Sequence, residues 1–248
     1  MCIETEEQLL RMQEIGKIVA TAREEMLARV KPGITTAELD RVGDEVLQKY
    51  GARSAPRSEY QFPGATCISL NHVAAHGIPG HEVIHQGDLL NIDVSAEKNG
   101  YYADTGVSMV VPPGKPELEA LVEVSRNALR KAIDQARTGN PINLIGGTIQ
   151  DEARKNGYTV LKNLTGHGIG RNLHEEPRHI LNYYEPWDNE PLKEGMALAI
   201  ETFVSTGAEY AHEMADGWSL TTMDDSLVAQ FEHTIIVTSQ TPIILTQI

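Results

Sequence analysis

Apolar residues recur at helical spacing from the start of the chain. Leu9, Met12, Gly16, Val19, Arg23 and Met26 fall on one stripe of a helix predicted over residues 5–30, with the glycine and the arginine as its two interruptions. Thr5 and Gln8 have the spacing of a capping box, and Lys31-Pro32-Gly33 stops the helix. Thr35 or Thr36 caps a second helix, which ends at Tyr50-Gly51. The arrangement then returns. Pro116 opens a helix to about Arg137, with Leu118, Leu121, Val122, Leu129 and Ile133 on one side. Gly139 ends it, and a further helix runs from about Asn143 to Gly157. Gly33 to Gly51 is eighteen residues, and so is Gly139 to Gly157. Strand-like apolar runs follow each helix pair. Pro112-Pro113-Gly114-Lys115-Pro116 is the densest Pro/Gly stretch and marks the joint. The pattern predicts an α+β fold of two pseudo-symmetric halves, about residues 1–112 and 113–248, packed as one domain with a site between them.

The strands carry a second repeat. His76-Gly77-Ile78 is followed by Gly87, Asp93 and Asp104; His167-Gly168-Ile169 is followed by Gly195, Glu201 and Glu232. Both Gly-to-acid spacings are six, and Ile92 and Ile200 immediately precede the two acids. Between Asp93 and Asp104 lies Asn99-Gly100, the preferred two-residue hairpin turn because both positions need positive φ. Pairing outward from that turn sets Lys98 opposite Tyr101 and Ser95 opposite Asp104. Asp93 and Asp104 then share a face as a diagonal pair, roughly 7–8 Å apart at the backbone. A single bulge would place them on opposite faces.

Carboxylates in apolar strands need partners, since like charges buried together cannot all ionise uncompensated. Asp93, Asp104, Glu201 and Glu232, with one or two of the repeated histidines, point to a divalent metal site. Two cations would neutralise four carboxylates and share a water acidified toward neutral pH. Oxygen ligands with an imidazole favour a fairly hard first-row ion. His174 lies seven residues after His167 in a Gly-rich stretch that permits close backbone approach. His72, His81, His85, His179, His212 and His233 have no such context and read as surface or structural; His233 adjoins Glu232 but faces the other way on an extended strand. His174-Glu175-Glu176-Pro177 is not an HExxH helix, because residue 178 is arginine and the proline breaks it. Gly166, Gly168 and Gly170 do not form a dinucleotide fingerprint.

Composition narrows the partners. A net charge of −14 argues against a nucleic-acid or anionic-membrane surface. The apolar runs are too short to span a bilayer, and the acidic first residues do not read as a secretion signal. With Cys2 and Cys67 the only cysteines, a disulfide framework is excluded and a reducing cytoplasm is expected.

The motifs His76-Gly-Ile-Pro, Asn91-Ile-Asp-Val, Tyr101-Tyr-Ala-Asp-Thr-Gly, Thr165-Gly-His-Gly-Ile-Gly, His174-Glu-Glu-Pro, Ala199-Ile-Glu-Thr and Gln230-Phe-Glu-His-Thr together resemble type I methionyl aminopeptidase. The resemblance runs over nearly the whole chain, in that family's order and spacing. It implies the pita-bread fold and hydrolytic removal of initiator methionine from nascent chains whose second residue is small. It implies two divalent ions (Co, Mn, Fe or Zn), with Asp93 chelating one, Asp104 and Glu232 bridging, and His167 and Glu201 completing the other. Glu201 would handle the proton of the attacking water. His174 would face the scissile carbonyl and His76 the peptide nitrogen. Phe62, Cys67 and Trp218 would form the methionine pocket, where aromatic and sulfur groups suit a thioether. The implied partners are nascent N-termini near the ribosome, met by a cytoplasmic monomer; the N-terminal extension of some relatives is missing, so no docking through it is expected. Departures are Leu173, where an aromatic is common, His72, where many members have Glu, and Ala75, where some have Cys. A proline-directed dipeptidase or aminopeptidase of the same fold and a catalytically dead binding module of that fold are the competing readings.

Overall fold

Reciprocal caps start the first helix pair. In the computed structural model, which describes residues 1–248, the Thr5 hydroxyl accepts from the Gln8 amide at 3.2 Å while the Gln8 side chain accepts from the Thr5 amide at 3.3 Å. Helix α1 spans Glu6–Leu27. It stops short of Val30 because the Arg29 and Val30 amides bond carbonyls three residues back, tightening the chain into a turn ahead of Pro32. Thr35, not Thr36, caps α2 (Thr36–Lys49), trading hydrogen bonds with Glu38. A six-residue helix α3, Ala55–Tyr60, has no counterpart in the apolar pattern; the Ser54 hydroxyl caps it at the Arg57 amide, 3.3 Å. Helix α4 is Pro116–Ile133, ending before Arg137 in turns of the same tight kind, and α5 is Asn143–Lys155. The four glycines of the eighteen-residue repeat have φ of +95°, +68°, +88° and +82°, with nothing close to where a Cβ would sit. They recur because each helix pair needs a left-handed residue at those turns, not for packing.

The first half contributes β1 (Arg53–Ser54), β2 (Cys67–Leu70), β3 (Val73–Ala75), β4 (Leu89–Lys98) and β5 (Tyr101–Val110), and β4 pairs antiparallel with β1, β2 and β5. The second half contributes β6 (Thr159–Val160), β7 (Gly166–Gly168), β8 (Glu175–Ile180), β9 (Ala197–Ser205), β10 (His212–Glu213), β11 (Leu220–Thr221), β12 (Val228–Ile236) and β13 (Ile243–Ile244). Its main sheet runs β13-β12-β9-β7-β8, with β6 also on β9, while β10 and β11 cross over to join β3. In the hairpin, Asn99 and Gly100 have φ of 54° and 76°, and the register runs unbroken from Lys98–Tyr101 to Leu89–Val110. Ser95 is opposite Asp104, as the turn predicts.

Helices α1 and α2 cover one face of the first sheet, burying Met12, Ile15, Leu39, Leu90 and Ile92. Helices α4 and α5 cover the second, burying Leu121, Ile145, Ile149, Ile200 and Ile235. Ile92 and Ile200 are fully buried, so strand alternation turns Asp93 and Glu201 to the opposite faces, away from the helices. The two sheets meet where β5 runs beside β12, joined by hydroxyls in place of a backbone ladder. Ser108 Oγ accepts from the Gln230 amide at 3.0 Å and donates to its carbonyl at 2.9 Å. Thr234 Oγ1 does the same for Asp104, at 2.8 Å each. Thr105 Oγ1 donates to the Glu232 carbonyl at 3.0 Å. Buried backbone groups that a ladder would have paired are thereby satisfied.

Candidate metal centre

Each acid owes its place to register. Asp93 and Asp104 lie diagonally across β4 and β5, Glu201 and Glu232 stand directly opposite across β9 and β12, and His167 of β7 is paired with Ala199 one strand over. These five and His76, His174, Phe62, Cys67 and Trp218 all line one cavity of about 390 Å³. Ligating atoms of Asp104, His167 and Glu232 lie within 4.8 Å of one another, and all three residues are buried.

Burial of the acids sets the electrostatics first, and their mutual charges second. Burial pushes Asp104 up to about 6. Burial, then the charges of its neighbours, holds Asp93, Glu201 and Glu232 well above the usual carboxylate range. Burial, then the facing His174, lowers His167 to about 3, so its ring is neutral. The rings of His167 and His174 are 4.1 Å apart. His174 is lowered by burial and then by His76. His76, an exposed residue of the cavity lining with φ 54°, is lowered by desolvation.

The donor set fits a cation. His167 Nδ1 is 3.0 Å from the Gly168 carbonyl, so the proton belongs on Nδ1 and Nε2 presents a bare lone pair. That Nε2 faces Asp104 Oδ2 at 4.0 Å, two acceptors with no proton between them. Glu232 Oε1 is the one buried side-chain oxygen or nitrogen in the protein without a hydrogen-bond partner. An orphaned carboxylate oxygen beside a neutral imidazole with a bare Nε2 and further acids is where a divalent ion would compensate what the protein does not.

Comparison with known proteins agrees in kind. Residues 10–239 match the model of metallopeptidase family M24. The chain belongs to that family. This M24 peptidase is 50% identical to "Methionine aminopeptidase 2" of Bacillus subtilis over the full length of both, and 37% identical to "Methionine aminopeptidase 1" of the same organism over 98% of each. The crystal structure of methionine aminopeptidase from Thermotoga maritima superposes with a TM-score of 0.96 at 35% identity, covering both chains entirely. Prolidase from Pyrococcus furiosus gives a TM-score of 0.79 at 23% identity over 100% of this chain and 66% of its own, a likeness of fold alone. The architecture is the pita-bread fold.

Other side chains of the M24 peptidase reach the site without having stood out in its sequence. The Gln230 side chain donates to Glu232 Oε2 at 3.2 Å and accepts from Asn91 Nδ2 at 2.8 Å. Its signal was available: two positions before Glu232 on one strand means the same face. Tyr60 gave none. Its hydroxyl meets His174 Nδ1 at 2.6 Å from 114 residues away. On the apolar side, Phe62 and Trp218 pack edge to face at 5.3 Å, with Cys67 and Leu173 beside them. Burial raises the Cys67 thiol, keeping it neutral. His233, behind Glu232, bonds Thr246 Oγ1 at 2.8 Å and faces away from the cavity.

Proposed function

We propose that this M24 peptidase is a type I methionyl aminopeptidase, hydrolysing the bond after the initiator methionine of nascent chains when the second residue is small. The carrying observation is an apolar bay of Phe62, Cys67 and Trp218 opening on the acid cluster in a single cavity. An unbranched thioether would fill the bay while the adjacent peptide carbonyl lies over the acids. Asp93, Asp104, His167, Glu201 and Glu232 would hold two divalent ions, which when bound supply a Lewis acid and an acidified water. Glu201 takes up the water proton. His174 donates toward the scissile carbonyl, and His76 toward the peptide nitrogen. We read the enzyme as a cytoplasmic monomer meeting N-termini near the ribosome, without contact to RNA given its net charge of −14.

The test is a tripeptide panel, Met-Ala-Ser, Met-Gly-Ser, Met-Leu-Ser and Ala-Pro-Ser, after EDTA treatment and return of Co, Mn, Fe or Zn. Turnover should need metal and favour the first two peptides. Preference for Ala-Pro-Ser, or full activity in D104A or E232A, overturns the reading.

A further inference from the structure

Arginine interrupts the apolar stripe of α1 at residue 23, and its side chain is 9% exposed. The guanidinium does not escape to solvent. Its Nη1 donates to Thr105 Oγ1, while Nε and Nη2 donate to Glu24 Oε1 at 3.1 and 2.8 Å. Among the three hydroxyl residues that join β5 to β12, Thr105 is the one hydrogen-bonded to both Asp104 and Glu232. Its amide donates to Asp104 Oδ1 at 2.9 Å, and its hydroxyl donates to the Glu232 carbonyl at 3.0 Å. A hydroxyl has one proton. With Arg23 donating to the oxygen, that proton is committed to Glu232. Without Arg23 the hydroxyl can rotate, and the contact between β5 and β12 loosens where Asp104 and Glu232 must face each other.

The neighbouring groups do not account for the arginine otherwise. His233, the titratable group Arg23 faces on β12, is neutral, lowered to about 4 by burial and then by Arg23 itself. Glu24 is partly exposed, and the ion pair with it requires no arginine buried beneath the sheet. A fork of donors explains the position: one arm anchors to Glu24, the other reaches the seam.

We propose that Arg23 is a positioning residue for Asp104 and Glu232, acting through the Thr105 hydroxyl to set the site's affinity for metal. This rests on the reading that those two acids bind metal. Side chains behind a metal ligand typically change affinity about 10–100-fold when removed.

The experiment is a double-mutant cycle of R23M and T105V on the full chain, reading Mn(II) affinity of EDTA-stripped protein by calorimetry and melting of the same metal-free samples. R23M and T105V should each weaken Mn(II) binding about tenfold. The double variant should bind within about twofold of the weaker single, because one chain of contacts is broken twice. R23K, which retains a donor, should recover most of the loss. R23Q replaces R23M in the cycle if the latter does not fold. Wild-type affinity in R23M, or losses that multiply in the double variant, overturn the proposal. D104N separates the two levels: if it binds Mn(II) like wild type, or wild type binds none, the metal reading itself has failed.

Discussion

Glu201 and Glu232 stand directly opposite each other in the β9–β12 ladder, both lining the cavity. Like charges so placed destabilise a sheet. Only the Gln230 side chain answers them from the protein, and Glu232 Oε1 is left without a partner. The pair is a cost to the fold that only function explains. E232Q should therefore stabilise the metal-free protein at pH 8 by about 1–2 kcal/mol, the usual scale of a stability–activity exchange. It should also cost more metal affinity than the roughly hundredfold typical of an outer partner. Urea titration in EDTA, alongside calorimetry, checks both; a destabilised E232Q with intact metal binding would show that the glutamate is structural.

Metal-free stability should fall as pH rises above about 7.5, one unit past the unfolded histidine pKa. In the unfolded chain these acids ionise near 4. Folded Asp104 does so at about 6, and Asp93, Glu201 and Glu232 well above their ordinary range. Between those limits the unfolded state binds fewer protons, so stability drops with rising pH. Histidines oppose this at lower pH. His167 at about 3 and His233 at about 4 stay neutral when folded, whereas unfolded rings take up protons below about 6.5. With His76 and His174, also lowered by burial, their contribution is nearly complete about one unit higher, and the slope beyond belongs to the acids, joined toward pH ~8.5 by the buried Cys67 thiol, which stays neutral where an unfolded thiol ionises. Saturating Mn(II) should abolish the decline, because the ion takes the place of the protons. The measurement is the urea midpoint at pH 7.5, 8.0 and 8.5, with EDTA and with Mn(II); a midpoint rising with pH in EDTA contradicts the assignment.

Gly106 gives a way to disturb the site without touching an acid. It pairs with Asp93 in the β4–β5 register, and a Cβ there would collide with the side-chain amide of Gln230. G106A should destabilise by about 1–3 kcal/mol, the range for overpacking a filled interior. Metal binding should weaken as well, since the displaced amide is the donor to Glu232 Oε2. In a Q230A background the added methyl has room, and most of the stability penalty should vanish. A penalty of equal size in both backgrounds would place the strain in the backbone instead.

What could be read from the chain follows from how local the determinants are. Asn99 and Gly100 fix the β4–β5 register because two positive-φ residues in a row admit one turn, and the acids' shared face follows by counting. The glycine repeat was legible for the same reason. Arg23 stood out as an interruption, but its partner is 82 residues away, and period alone names no partner. The hydroxyl seam of Thr105, Ser108 and Thr234 was invisible because serine and threonine alternate in many strands without joining two sheets. Helix α3 is less than two turns long, too short for a 3.6-residue pattern to register, and Tyr60 went unnoticed with it.

Tyr60 at the end of α3 should prove to set the tautomer of His174. Burial raises the phenol's pKa, so it stays protonated, and the imidazole is neutral, lowered by burial and by His76. At 2.6 Å the contact suits a phenol O–H donating to Nδ1, the direction expected because the neutral ring nitrogen is a better acceptor than the phenol oxygen. The ring proton is then on Nε2, the tautomer a donor to a substrate carbonyl needs. In Y60F that constraint is gone, and the ring divides between tautomers. We expect kcat to fall about tenfold with KM little changed, as for an interaction realised in the transition state. Mn(II) affinity should not move, which distinguishes this loss from that of a ligand. Nitrogen chemical shifts of His174 in wild type and Y60F read the tautomer directly. If Nε2 is unprotonated in wild type, the hydrogen bond runs the other way, and His174 cannot donate to the carbonyl in the role assigned to it.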